Sequence, residues 1–273
     1  MIPLELVLGI VFVFFLCWGS FLNVVAYRVA YDERFLTKRS YCPSCRTMIA
    51  WYDNIPLFSW LMLRGHCRSC NNPISAIYPA LELSTAIIMT CYTYQLIMPL
   101  LIANHLPISG TLIRKNIGLC GHWLTMALFF SALLVNTATD LYQMHIAQLF
   151  TVWLIPELWF CAWAGFLPIS LTASILGAVF GYGILWLVAT LFKLVQGKQG
   201  MGEGDFELMA LIGAVVGIVG VWYTLLIASA SGSVVGLLYL YLAKKDRTTP
   251  IPFGPFLAFG AIMYLLTMQI SFW

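Results

Sequence analysis

Charge is what this sequence has least of. Only 9% of its 273 residues are Asp, Glu, Lys or Arg, while 61% are hydrophobic. A soluble domain carries roughly a quarter charged residues, so a water-soluble globule is excluded. A net charge of +3 is too small to argue for a nucleic acid partner. No Lys or Arg precedes Arg28, whereas a secretory signal needs a positive n-region and a small-residue cleavage site. Ile2 to Ala26 therefore reads as a retained first span. No internal repeat or low-complexity tract is evident. There is also no glycine-rich nucleotide-binding loop. Aspartate occurs five times, at Asp32, Asp53, Asp140, Asp205 and Asp246.

What is present is a series of long apolar runs. At roughly 20 residues per spanning helix there is room for about eight crossings and one modest polar region. The fold expected is an all-α polytopic membrane protein. Spans are placed at 3–26, 79–102, 120–139, 146–167, 170–192, 206–220, 222–242 and 253–272, with Gly220 separating the sixth from the seventh. This gives a first helix (1–26), a polar cytoplasmic segment (27–78) and a membrane core (79–273). A tight turn is expected from Gly165 to Pro168.

Orientation follows from the basic residues, which collect on cytoplasmic loops. With 27–78 inside, the cytoplasm holds Arg28, Arg34, Lys38, Arg39, Arg46, Arg64, Arg68, Lys193, Lys198, Lys244, Lys245 and Arg247. The outside holds only Arg114 and Lys115, and both termini face outward. Lys193 and Lys198 read as markers of the inside rather than as partners of Asp205.

On this scheme Asp140 closes the third span and Asp205 opens the sixth, both at the cytoplasmic face. The remaining aspartates lie in polar segments. An ionisable residue at a membrane helix end points to function. Asp205 ends Gly200-Met201-Gly202-Glu203-Gly204-Asp205, whose glycines let the backbone bend and approach another chain. Two carboxylates sharing a site do not both ionise easily, so one can stay protonated while the other activates water. That is aspartic peptidase chemistry. Relay acids of a proton-coupled transporter, or plain helix caps, fit the same pattern, although the inverted repeats of many transporters are not evident.

The polar segment contains Cys42-Pro43-Ser44-Cys45 and Cys67-Arg68-Ser69-Cys70, two CxxC pairs at near zinc-ribbon spacing. In a reducing cytosol four thiolates favour one tetrahedral Zn²⁺ over disulfides. A filled shell makes that metal structural, a staple for a segment too short to build its own core. Arg46 and Arg68 would help keep the thiols ionised. His66 borders the cluster without being needed. Cys17, Cys91, Cys120 and Cys161 read as buried small residues, and His105, His122 and His145 as interfacial.

These motifs resemble the prepilin peptidases of type IV pilus and type II secretion systems, and the likeness runs nearly end to end. It rests on Gly19-Ser20-Phe21-Leu22-Asn23-Val24-Val25 with Arg28, on the CxxC pairs flanking Asp53-Asn54-Ile55-Pro56-Leu57 and Leu63-Arg64-Gly65-His66, and on Tyr78-Pro79-Ala80-Leu81-Glu82. The G-x-G-D signature at Gly202 to Asp205 and Pro252-Phe253-Gly254-Pro255-Phe256 complete it. The resemblance implies Asp140 and Asp205 as catalytic residues, Gly202 and Gly204 as the catalytic loop, and Cys42, Cys45, Cys67 and Cys70 as zinc ligands. It also implies prepilin or pseudopilin substrates, cut after the last glycine of a short basic leader. The new N-terminus would then be methylated from S-adenosylmethionine, with Glu82 a candidate proton acceptor or merely a helix-start acid. The implied place is a bacterial inner membrane, with the zinc segment and aspartates facing the cytoplasm. A non-enzymatic role in pilus or secretion assembly is the remaining reading. The chain departs from the family after Asp140. Members often show Asp-Leu-Asp and then Pro-Asp, whereas Asp140-Leu141-Tyr142-Gln143-Met144-His145-Ile146-Ala147-Gln148 has no second acid.

Overall fold

The computed structural model describes residues 3–33, 39–102, 110–197, 200–244 and 250–268, with side chains undescribed at 99–117 and 268. Arg34, Lys38, His105, Lys198, Lys245, Asp246 and Arg247 lie outside the described residues, and Arg114 and Lys115 contribute backbone only. The described chain is helical, with no strand beyond two isolated antiparallel bridges. Its helices are α1 (Leu4–Ala30), α2 (Phe58–Met62), α3 (Ile77–Ile102), α4 (Gly110–Gln143), α5 (Ile155–Trp163), α6 (Leu171–Gln196), α7 (Glu203–Leu242) and α8 (Gly254–Met268). Among the described residues, four stretches are long and apolar enough to cross a membrane: α1, Gly118–Gln143 within α4, α6 and α7. The chain divides into two compact units, Met1–Leu101 and Ile102–Trp273.

In the first unit α1 leaves Ile10, Val13 and Phe14 more than half exposed, as lipid-facing side chains require. Its contacts with α3 are close: a Cβ on Gly19 would meet the Glu82 backbone and the Thr85 side chain. Asn23 Nδ2 donates to the Tyr78 carbonyl at 3.0 Å. Between these helices, two cysteine loops repeat the same backbone pattern 25 positions apart. Cys42 N–H bonds Thr47 O as Cys67 N–H bonds Asn72 O, and Arg46 N–H bonds Cys42 O as Asn71 N–H bonds Cys67 O. Arg46 and Asn71 both have positive φ, and the bridges Tyr41–Met48 and His66–Pro73 close the loops. In sequence the duplication shows only as Cys42, Ser44, Cys45 and Ile49 recurring at Cys67, Ser69, Cys70 and Ile74, because hydrogen bonding constrains the backbone and leaves the other side chains free.

In the second unit α4 turns a stripe of residues inward at helical spacing: His122, Thr125, Phe129, Ala132, Asn136 and Asp140 are all buried. The run 146–167, expected as one spanning helix, is not one. It consists of a 3₁₀ turn (Gln148–Phe150), irregular backbone and the nine-residue α5. It nevertheless travels along α4 from Asp140 to Gly121. Ile146 lies against Gly254, whose N–H bonds Asp140, while Phe166 lies against Gly121 and accepts from His122 through its carbonyl. Nineteen residues of helix separate those ends, about 28 Å. Irregular backbone at membrane depth is tolerated only where protein satisfies it. Asn136 does this: Oδ1 accepts from Ala147 N–H at 2.8 Å and Nδ2 donates to Phe150 O at 3.2 Å. The expected turn after this run is present. Gly165 takes φ +79°, and the N–H groups of Gly165 and Phe166 bond Ala162 O and Cys161 O, a Schellman ending.

The break in α7 falls at Gly217 rather than Gly220. Gly217 adopts φ 68°, ψ −178°, a region open essentially to glycine alone. Contacts show that the chain reverses there. Before the break, Gly181 and Gly177 of α6 face Met209 and Gly213, so this arm runs antiparallel to α6. After it, Gly220, Thr224, Gly232 and Gly236 face Tyr264, Gly260, Phe256 and Ile251 in turn, so the second arm runs antiparallel to α8 and its approach. Gly220 is instead a packing position, against Val216 and Tyr264.

Candidate active site and metal centre

Asp140 sits in the last turn of α4, and its carbonyl accepts from Met144 N–H at 2.8 Å. A carboxylate there faces the negative end of its own helix, which is unfavourable. The compensation comes from α8, whose first residue, Gly254, donates its N–H to Asp140 Oδ2 at 2.9 Å. Asp205 is the third residue of α7, and the N-cap Gly202 donates its backbone N–H to the Asp205 carboxylate. That is the return half of a capping box. Each acid thus rests on the positive end of a helix, Asp205 on α7 and Asp140 on α8.

The two acids belong to one site. Ile146 packs against Gly204, next to Asp205, and against Gly254, which holds Asp140. A Cβ at Gly204 would come 2.6 Å from Ile146 Cβ, so the loop glycine permits this approach. Asp140 is 5% exposed and Asp205 9%, and the two carboxylates interact electrostatically. His145 acts on Asp140 from the loop beyond α4. The sequence reading missed Gly254, Asn136 and Glu207. The Pro252–Phe256 motif marked the neighbourhood of the first; nothing marked the other two.

Cys42, Cys45, Cys67 and Cys70 are drawn together by the paired loops. Their sulfurs all lie within 4.8 Å of one another, and Cys42 and Cys70 Sγ are 3.9 Å apart. A tetrahedral Zn²⁺ with Zn–S of about 2.3 Å spaces thiolates about 3.8 Å apart, so the donor set fits that ion. The Thr47 hydroxyl, 3.3 Å from Cys45 Sγ, and the Thr47 N–H hold this thiol down at about 6. Backbone N–H groups of Cys70 and Ser69 also lower Cys67. The Asn72 N–H pulls Cys70 down, but burial and its neighbouring thiols outweigh it and push Cys70 up to about 11. Arg68 does not face the cluster as a lone charge. It forms a bidentate pair with Asp53 at 2.7 and 2.6 Å, holding that carboxyl below the usual range.

Glu82 is 7% exposed near the start of α3. Its Oε2 accepts from Leu57 N–H at 2.7 Å, and the Ser20 side chain also bonds it. Leu57 has φ 61°, so this bond holds a strained backbone residue at the N-cap of α2. Of the other histidines, His122 is bound to Phe166 O at 2.7 Å, and His66 to Arg64 O at 2.7 Å.

A helical membrane protein with two buried, interacting carboxylates linked through one residue, Ile146, defines a narrow class. Comparison with known proteins places it further. The model of the Bacterial Peptidase A24 N-terminal domain matches residues 13–96, and that of the Type IV leader peptidase family matches residues 127–237. A relative from Aeromonas hydrophila called prepilin leader peptidase/N-methyltransferase is 36% identical, covering 94% of this chain and 90% of its own length. Proteins of the same name from Xanthomonas campestris pv. campestris and Legionella pneumophila are 34% and 30% identical, over 88% and 99% of this chain and 84% and 96% of their own lengths. No solved structure matches. The chain belongs to the type IV leader peptidase family, among the prepilin leader peptidase/N-methyltransferases.

Proposed function

We propose that this protein removes the leader peptide from prepilins or pseudopilins with Asp140 and Asp205, and then methylates the new N-terminal residue. What carries this reading is that Ile146 packs both against Gly254, which holds the Asp140 carboxylate, and against Gly204, the neighbour of Asp205, with the two buried acids in electrostatic reach of each other. One carboxyl, protonated, hydrogen-bonds the scissile carbonyl oxygen. The other, ionised, takes a proton from a water that attacks the carbonyl carbon. The tetrahedral species then collapses as its nitrogen is protonated and the amide breaks. The proton is shared by the pair rather than owned by either acid. Gly202, exposed and without a side chain, leaves the loop bare for an extended substrate backbone, while Gly204 lets the loop seat on Ile146.

The chain crosses a bacterial inner membrane eight times in this reading, the fourth passage through 146–167 not being a continuous helix. Residues 1–26 form the first helix, 27–78 the cytoplasmic zinc segment and 79–273 the peptidase core. The aspartates lie at the cytoplasmic face, where the leader of a membrane-inserted prepilin emerges. Zn²⁺ held by Cys42, Cys45, Cys67 and Cys70 neutralises the thiolates and staples the paired loops. S-adenosylmethionine supplies the methyl group. Glu82 is the candidate to receive the amine's proton. Its known partners, Leu57 N–H and Ser20, both donate to it, so it is held as an acceptor.

Mass spectrometry of a pilin's N-terminus, after incubation with membranes carrying the protein, reads cleavage and methylation together. Asp140→Asn and Asp205→Asn should each insert normally and lower cleavage by on the order of 10²–10⁴-fold. Normal processing by either variant would end the peptidase assignment. Glu82→Gln should leave cleavage intact and lower methylation; unchanged methylation removes Glu82 from that role.

A further inference from the structure

Glu207 lies two positions beyond Asp205 and takes no part in the chemistry above. Two successive steps of about 100° around the helix turn its side chain away from that of Asp205. Its carboxylate is nonetheless fully engaged. Oε1 accepts from Gln148 Nε2 at 3.0 Å, and Oε2 accepts from the Thr151 hydroxyl at 3.3 Å. Thr151 is completely buried. Gln148 opens the 3₁₀ turn that follows α4, and Thr151 comes directly after it. The same turn is bound from its other side by Asn136, one helical turn before Asp140, through Ala147 N–H and Phe150 O.

Residues 147–151 are therefore a strap with two anchors. One anchor is on the helix that carries Asp140, the other on the helix that carries Asp205. Ile146, the residue wedged between Gly204 and Gly254, is the first residue outside the strap. A shift of the turn relative to either helix would move Ile146 and alter the separation of the carboxylates. The run has no second acid after Asp140, so Gln148 and Thr151 supply donors to an acid on α7.

We propose that Glu207 is a positioning residue for the peptidase reaction. By tying the 147–151 turn to α7 it sets the distance between Asp140 and Asp205. The inference rests on the assignment of those two aspartates as the catalytic pair.

The test compares purified full-length variants on a prepilin substrate, with kcat and KM measured separately. Glu207→Ala should lower kcat about ten- to a hundredfold, the scale expected for roughly 1 Å of misplacement near reacting groups, with KM within about twofold. Gln148→Glu combined with Glu207→Gln rebuilds the amide–carboxylate pair in the opposite sense and should restore kcat to within about threefold of the original. An unchanged kcat in Glu207→Ala would overturn the proposal. So would a kcat loss that the exchanged pair does not recover, since a reciprocal swap cannot repair a catalytic role or a general folding defect. Asp205→Asn is measured alongside. If it cleaves normally, the underlying assignment has failed. If it is inactive while Glu207→Ala is fully active, only the strap has failed.

Discussion

Gly254 illustrates how much one missing side chain can decide. A Cβ there would stand 2.8 Å from Asp140 Oδ2 and 3.1 Å from Ile146 Cδ1. To make room, the Asp140 carboxylate would have to move off the Gly254 N–H that it accepts from. Gly254→Ala should therefore lower cleavage about tenfold or more while the protein still inserts and binds zinc, measured by pilin processing in membranes. Wild-type processing would mean that the Gly254–Asp140 bond is dispensable. At this scale the sequence revealed the acids and thiols but not their holders. Asp140 and Asp205 stand out because charge is scarce in spanning segments, and the cysteines because of their spacing. Gly254 lies 114 positions from Asp140 and Glu207 59 from Gln148. No local pattern links residues so far apart.

Two elements depend on special backbone. The reversal in α7 needs Gly217 in a conformation costing other residues about 1–3 kcal/mol, although the space around it is open. Gly217→Ala should lower the thermal midpoint in detergent by strain alone; an unchanged midpoint would mean that the turn adapts. Sequence reading expected the reversal near Gly220, since both glycines interrupt the same apolar run and hydropathy does not distinguish a turn from a packing contact. The cysteine loops are the second case. Positive φ at Arg46 and Asn71 aims four sulfurs at one point, which without a metal leaves several thiols crowded together. One zinc per chain is expected by elemental analysis. Cys67→Ser should abolish it and expose 39–76 to proteolysis, because binding energy in such a segment is folding energy. Full zinc content in that variant would remove the site.

For the whole molecule, function depends on sidedness. The distribution of basic residues leads us to expect 27–78 and the aspartates inside, and the contacts carry 146–167 from the aspartate end of α4 as far as Gly121 and His122. Cysteine at position 170 should therefore react with an impermeant maleimide added to intact cells, and cysteine at position 144 only after permeabilisation. The reverse pattern would invert the topology and remove the peptidase from its substrate's leader. Membrane character, the acid pair and the tetracysteine set were determined by the sequence alone. Each follows from which residue types occur and at what spacing, and a bilayer makes composition decisive. The irregular run 146–167, the reversal at Gly217 and the bonds of Gly254, Asn136 and Glu207 were decided only by tertiary structure. Backbone polar groups in an apolar medium must find partners wherever the fold brings them, and the order of residues along the chain does not say which those will be.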